Sequence, residues 1–113
     1  MSQAIPLFAN PGQTVSLLVQ TVDGYGARQD GAVPQVMSIY FPDRSLAQGF
    51  PQPMTRLEEG LYVYDMIIPP GLTSLGTFTA SVMYTQPGTS NPVWQLFTIN
   101  VARPFGNSTA TPI

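Results

Sequence analysis

The residues able to do chemistry in this chain are few. Six carboxylates (Asp23, Asp30, Asp43, Glu58, Glu59 and Asp65) and four arginines give a net charge of −2, and there is no His, Lys or Cys. A general base or nucleophile near neutral pH would then have to be a carboxylate raised by burial. Glu58 and Glu59 are adjacent, so on a strand they point to opposite faces and do not form a pair. Asp23 and Asp30 share the stretch VDGYGARQDGA, and Gly-rich loops of this kind can cup Ca²⁺ with carboxylate and backbone oxygens. Their spacing is not that of an EF-hand, and two acids are too few for strong binding, so the stretch reads as an inter-strand loop. The expectation is therefore no catalytic residue, no metal and no cofactor. Four scattered arginines neutralise few phosphates, which argues against nucleic acid as a partner. The absence of Cys removes disulfides and thiolate chemistry.

What these residues leave is surface. The 113 residues make one ordinary domain, able to remove roughly two-thirds of its unfolded surface from water. Only 9% of residues are charged, against ~25% in a typical soluble domain. Disorder is excluded by the 43% hydrophobic and 11% aromatic content. The surface must then be polar but largely uncharged, rich in Thr, Ser, Gln, Asn and Pro. Such a surface is poorly protected against association, which points to an assembled protein. The opening MSQAIPLFANPGQ has neither a basic n-region nor a long apolar run, so no export signal is expected, and no stretch approaches the ~18 apolar residues of a membrane span. Asn107-Ser108-Thr109 fits a glycosylation sequon, which carries no weight without a secretory signal.

Twelve Pro and ten Gly interrupt every helix-length window, and short alternating runs replace helical periods. About seven strands are expected. The first is 4–9, closed by the turn Asn10-Pro11-Gly12. In QTVSLLVQTVD, Val15, Leu17 and Val19 share a face, opposite Ser16 and Gln20. QVMSIYFP puts Met37, Ile39 and Phe41 on one side and Tyr40 on the other. A poorly patterned stretch, 43–57, holds a short edge strand near Met54–Leu57, where prolines do little harm. GTFTASVMYT turns Phe78, Ala80, Val82 and Tyr84 inward, and VWQLFTINVA does the same for Phe97, Ile99 and Val101. Residues 1–103 form the domain, and 104–113 read as an extended arm.

The strand at 60–68, in EEGLYVYDMIIPP, has two apolar faces. Tyr62, Tyr64, Met66 and Ile68 lie on one, and Leu61, Val63 and Ile67 on the other, with Asp65 the only charge. A sheet of a lone sandwich needs one dry face, so one of these rows is expected to be covered by chain from outside the two sheets.

EEGLYVY resembles the tyrosine-corner motif of immunoglobulin-like domains, with Glu58 as the acid, Gly60 as the small residue, Tyr62 as the corner and Tyr64 where a Cys usually stands. A second Gly-x-aromatic, Gly76-Thr77-Phe78, opens the next strand. The pair GLYVYDMIIPP and GTFTASVMY is similar to the disulfide-free immunoglobulin-like modules of bacterial adhesins, macroglobulin-type proteins and tailed-phage virions. The resemblance spans about 100 residues and is one of fold. It implies an all-β, immunoglobulin-like β-sandwich of about seven antiparallel strands, with Gly60, Tyr62, Gly76 and Phe78 as fold-defining residues. A small, neutral, Cys-free module without an export signal looks most like a phage capsid decoration (cement) protein. That likeness implies a structural protein made in the host cytoplasm and placed on the virion capsid surface. It would bind the major capsid protein, form a homo-oligomer on the lattice, and have no membrane or nucleic-acid partner.

Candidate interface residues are Ile5, Leu7 and Phe8 in the N-terminal segment, Phe105 and Ile113 in the C-terminal arm, and the aromatics Tyr25 and Trp94. Tyr25 lies in a loop, and Trp94 is out of phase with the inward residues of its strand. The alternative left open is a tail, baseplate or host-surface module that stacks sugars on Tyr and Trp.

Overall fold

The alternation of Thr14–Gln20 is unbroken, and its burial follows it residue by residue. In the computed structural model, which describes residues 4–70 and 75–102, this segment is one of eight strands: β1 (Ile5–Ala9), β2 (Thr14–Gln20), β3 (Gln35–Tyr40), β4 (Gln52–Pro53), β5 (Thr55–Glu58), β6 (Leu61–Ile67), β7 (Gly76–Thr85) and β8 (Pro92–Val101). They form an all-β sandwich of two sheets, one of five strands in the order β1-β8-β7-β3-β4 and one of three in the order β2-β6-β5. The core lies between them. Val15, Leu17 and Val19 from β2 and Tyr62, Met66 and Ile68 from β6 and its end meet Phe78, Ala80, Val82, Phe97, Ile99 and Val101 from the large sheet, all buried.

Three details differ from the sequence reading. The edge strand expected near Met54–Leu57 is present as β5, but a second short strand, β4, precedes it. Gln52–Pro53 pairs with β3 in the large sheet, while Thr55–Glu58 pairs with β6 in the small one. Met54, 4% exposed, is the buried pivot where the chain changes sheets, and its N–H donates to Pro34 O at 2.9 Å. Secondly, not all pairs are antiparallel. β1 runs parallel to β8, from Ile5 opposite Phe97 to Ala9 opposite Val101, because the chain then turns and crosses to the other sheet as β2. Thirdly, the register of β3 against β7 shifts between Val36 and Ser38. This bulge places Val36 and Ile39 in the core and leaves Met37 half-buried. Phe41, just past the strand, still packs edge-on against Phe78, with ring centroids 5.6 Å apart.

The two apolar rows of β6 have different fates. In the inner row Tyr64 is half-buried, and Phe50 from the β3–β4 loop packs edge-on against it at 6.0 Å. Thus the chain itself covers Tyr64. In the outer row Leu61 and Val63 are half-buried and Ile67 is 71% exposed.

Two glycines fix the entries to these strands. Gly60 has φ +71°, and a Cβ there would lie 2.8 Å from both the Gln29 nitrogen and Arg28 Cβ. Gly76 has φ +120°, with Pro42 Cβ at 2.8 Å from its would-be Cβ. Left-handed backbone costs an L-residue roughly 1–2 kcal/mol before any clash is counted, and at Gly60 two of the contacts, Gln29 N and Thr21 O, are backbone, which yields little. Gly60→Ala is expected to destabilise the fold by about 2 kcal/mol or more. That loss lowers the melting temperature by roughly 10 °C. An unchanged melting temperature by circular dichroism would show that the turn is not held as described.

Candidate functional site

The two sheets divide the charge of the chain unequally. None of the five strands of the large sheet, IPLFA, QVMSIY, QP, GTFTASVMYT and PVWQLFTINV, contains an acidic or basic residue. The small sheet holds Arg56, Glu58 and Asp65. Alternation sends every second residue of the large sheet outward, and the registers align these residues in rows. Phe8 lies beside Asn100 and Thr77. Pro6 lies beside Thr98, Thr79 and Tyr40. Leu96, Ser81 and Ser38 form a third row, and Trp94, Met83 and Gln35 a fourth. From the Trp94 row to the Phe8 row is about 20 Å at 3.3 Å per residue.

Several polar groups of this face are satisfied within it. The Ser38 and Ser81 hydroxyls share a hydrogen bond at 2.7 Å, and Thr77 Oγ1 donates to Asn100 Oδ1 at 3.1 Å. The apolar groups are not covered: Phe8 is 79% exposed, Trp94 47%, Tyr40 42% and Leu96 39%. The result is a neutral, mixed aromatic and hydroxyl surface on a rigid sheet. Large aromatics on a rigid backbone are the side chains that anchor protein interfaces, since they bury much area for little lost freedom.

The sequence-derived interface residues are dispersed by the fold. Phe8 and Trp94 lie on this outer face. Ile5 and Leu7, which alternate with Phe8, turn the other way, and Leu7 packs against the core. Tyr25 is at the tip of the β2–β3 loop and is 98% exposed. Phe105, Ile113 and the arm 104–113 lie outside the described residues. Tyr40, Met83 and Leu96 were not singled out from the sequence. The signal for them was present as the outward phase of β3, β7 and β8 combined with the lack of charge.

At one end of the sandwich, a polar cluster fixes the β2–β3 loop. The carboxylate of Asp30 accepts three bonds: from Gly60 N at 2.8 Å and Tyr62 Oη at 3.3 Å on Oδ1, and from Arg56 Nε at 2.9 Å on Oδ2. Thr21, fully buried, donates through Oγ1 to Gln29 O at 2.7 Å and through its N–H to Gly60 O at 2.9 Å. Arg28 pairs with Glu58 at 2.7 Å. Tyr62 therefore ties to a side chain of the β2–β3 loop, and two strands follow the one that carries it. Asp23 closes its own turn, accepting from Tyr25 N at 2.8 Å and Ala27 N at 3.0 Å, and so holds Tyr25 outward.

These contacts set the protonation chemistry. The Gly60 N–H holds the Asp30 carboxyl below its ordinary value against the opposing effect of desolvation, with smaller help from Arg56 and Tyr62. The Ser45 hydroxyl and N–H do the same for Asp43. Both shifts run away from neutrality, the reverse of what a general base requires. Burial, and then the Asp30 charge, push the Tyr62 hydroxyl upward, so it remains a donor. Among the described residues no three acidic side chains come together.

Fold and surface together define a two-sheet all-β module whose large sheet presents a neutral outer face. The chain matches no protein-family model, no curated protein and no solved structure.

The lowered Asp30 pKa makes a pH prediction. A carboxylate whose folded pKa lies below its unfolded one stabilises the fold above the unfolded value, and that stability is lost as pH falls through the folded value. Asp30→Asn should lower the melting temperature at pH 7 and flatten its decline between about pH 5 and pH 2. Wild type and variant declining in parallel would show that Asp30 does not supply this term.

Proposed function

We propose that this protein is a structural, non-enzymatic binding module, and specifically a decoration (cement) protein of a tailed-phage capsid. The observation that carries the reading is the uncharged outer face of the five-stranded sheet, with Phe8, Trp94, Leu96 and Tyr40 open on it. A neutral aromatic face suits docking onto another protein surface. Its partner in this reading is the major capsid protein. Single contacts of modest strength suffice, because a lattice repeats them and neighbouring copies reinforce one another. The strand order supports the immunoglobulin-like part of the reading. β2-β6-β5 opposite β8-β7-β3-β4 follows the order of strands B-E-D opposite G-F-C-C′ in such sandwiches.

A carbohydrate-recognition module, on a phage tail or baseplate, is the second reading. Tyr25, held almost fully exposed by the Asp23 turn, is the observation that favours it. The two readings separate in experiment. Under the first, virions lacking the protein rupture at a lower temperature than complete virions, and added protein restores them. A triple variant, Phe8→Ala, Trp94→Ala, Leu96→Ala, should bind capsids at least about tenfold more weakly. Because the face is neutral, wild-type binding should hardly change up to roughly 0.5 M salt. Equal rupture temperatures with and without the protein, together with a Tyr25-dependent fluorescence change on adding glycans, would favour the second reading and overturn the first.

A further inference from the structure

Each sheet ends in edge strands that pair with a neighbouring strand on one side only among the described residues. Folded chains protect such edges with prolines, charges, bulges or short length. Three of the four edges here are protected in one of these ways. β1 carries Pro6, β4 is two residues long and includes Pro53, and β5 carries Arg56, Glu58 and a register shift. β2 has no such device. Its seven residues, TVSLLVQ, run in unbroken register against β6 with no charge and no proline.

The bonding at the two ends of β2 shows which groups face outward. Ile68 N donates to Gln13 O at 2.9 Å, and Thr21 N donates to Gly60 O at 2.9 Å. Antiparallel ladders alternate, so the odd-numbered residues between Gln13 and Thr21 exchange bonds with β6. The N–H and C=O groups of Thr14, Ser16, Leu18 and Gln20 then point away from it. Among the described residues no other backbone group meets them. The neighbouring surface is apolar. Leu18 is 50% exposed beside half-buried Val63, and a groove runs along the edge between Leu18, Gln20 and Leu61 on one side and Ile5, Val93 and Gln95 on the other.

We propose that β2 is a self-pairing edge. Two copies join β2 to β2, antiparallel about a two-fold axis at Leu17, and their three-stranded sheets become one sheet of six. Thr14 of one copy then lies opposite Gln20 of the other, and Ser16 opposite Leu18, so every outward backbone group finds a counterpart. The occupant is a second copy because the strand is complementary to itself. All seven side chains are uncharged, so no like charges meet across the axis. Magnitude then decides the strength. A strand of seven residues is about 23 Å long and neighbouring strands lie about 4.8 Å apart, so the edge contact is narrow and its buried area small. This falls short of the ~1,200 Å² of a standard stable interface. The pair is therefore weak, forming at high concentration or where a surface gathers copies. It does not depend on the capsid reading.

Sedimentation equilibrium from about 10 µM to 1 mM tests the proposal, since a contact below the standard size gives a weak dimer in this range. Wild-type protein should pass from monomer to dimer. Leu18→Lys, which sets like charges beside the axis, and Ser16→Pro, which removes an outward N–H that β6 does not use, should each remain monomeric with a cooperative melt. Hydrogen exchange at the Ser16, Leu18 and Gln20 amides should be fast in dilute protein and slow in concentrated protein. A wild-type monomer at 1 mM overturns the proposal. So does protection of these amides that is independent of concentration, which would mean that another part of the chain occupies the edge. If Ser16→Pro fails to fold, Leu18→Lys and the exchange data still decide the matter.

Discussion

The Asp30 carboxylate on the left-handed turn at Gly60 is the interaction on which the rest of this structure depends. The turn between β5 and β6 must bend through a backbone conformation that only glycine adopts cheaply, against a neighbouring loop with no room for a side chain. The Gly60 N–H donates to Asp30, 30 residues away. Through Arg56 and Tyr62 the same carboxylate reaches β5 and the buried start of β6. One acidic side chain thereby ties the long β2–β3 loop to both strands of the neighbouring hairpin. The loop then holds Tyr25 outward through a second, independent turn at Asp23.

Charge is distributed around this arrangement. Carboxylates and guanidinium groups sit in loops and in the small sheet, where each described contact is structural: Asp23 closes a turn, Asp30 clamps another, Asp43 caps Ser45, Asp65 accepts from Ser16 and Arg28 pairs with Glu58. The five-stranded sheet carries none of them. A chain with so few charged residues would be expected to spread them for solubility. The absence of charge from these strands matches the low charge fraction of the composition, and the proposed protein interface rests on it.

Much of the fold was legible because β2, β7 and β8 alternate cleanly over seven to ten residues. Trp94 could be placed on the outer phase for the same reason. The bulge in β3 was not legible, since Val36-Met37 is apolar at both positions and the period does not show which one slips. Nor was the division of 52–58 between two sheets, where Pro53 and Met54 hide the crossing and each strand is too short to show a period. EEGLYVY marked a sharp turn and a buried tyrosine correctly, but a local motif cannot show that the tyrosine's partner is Asp30. The two dry faces of β6 resolve into a row covered by Phe50 and Phe78-side core, and a row left half open. The neutral face itself was visible only as a low charge fraction, because its rows come from strands distant in sequence.

In the proposed reading the outer face of the large sheet becomes buried when the protein binds its partner. Trp94 lies on that face and is the sole tryptophan of the chain, so its fluorescence reports on that surface alone. Acrylamide quenching should be efficient in the free protein and strongly suppressed once the protein is bound to particles. Equal quenching in the two states would contradict the account.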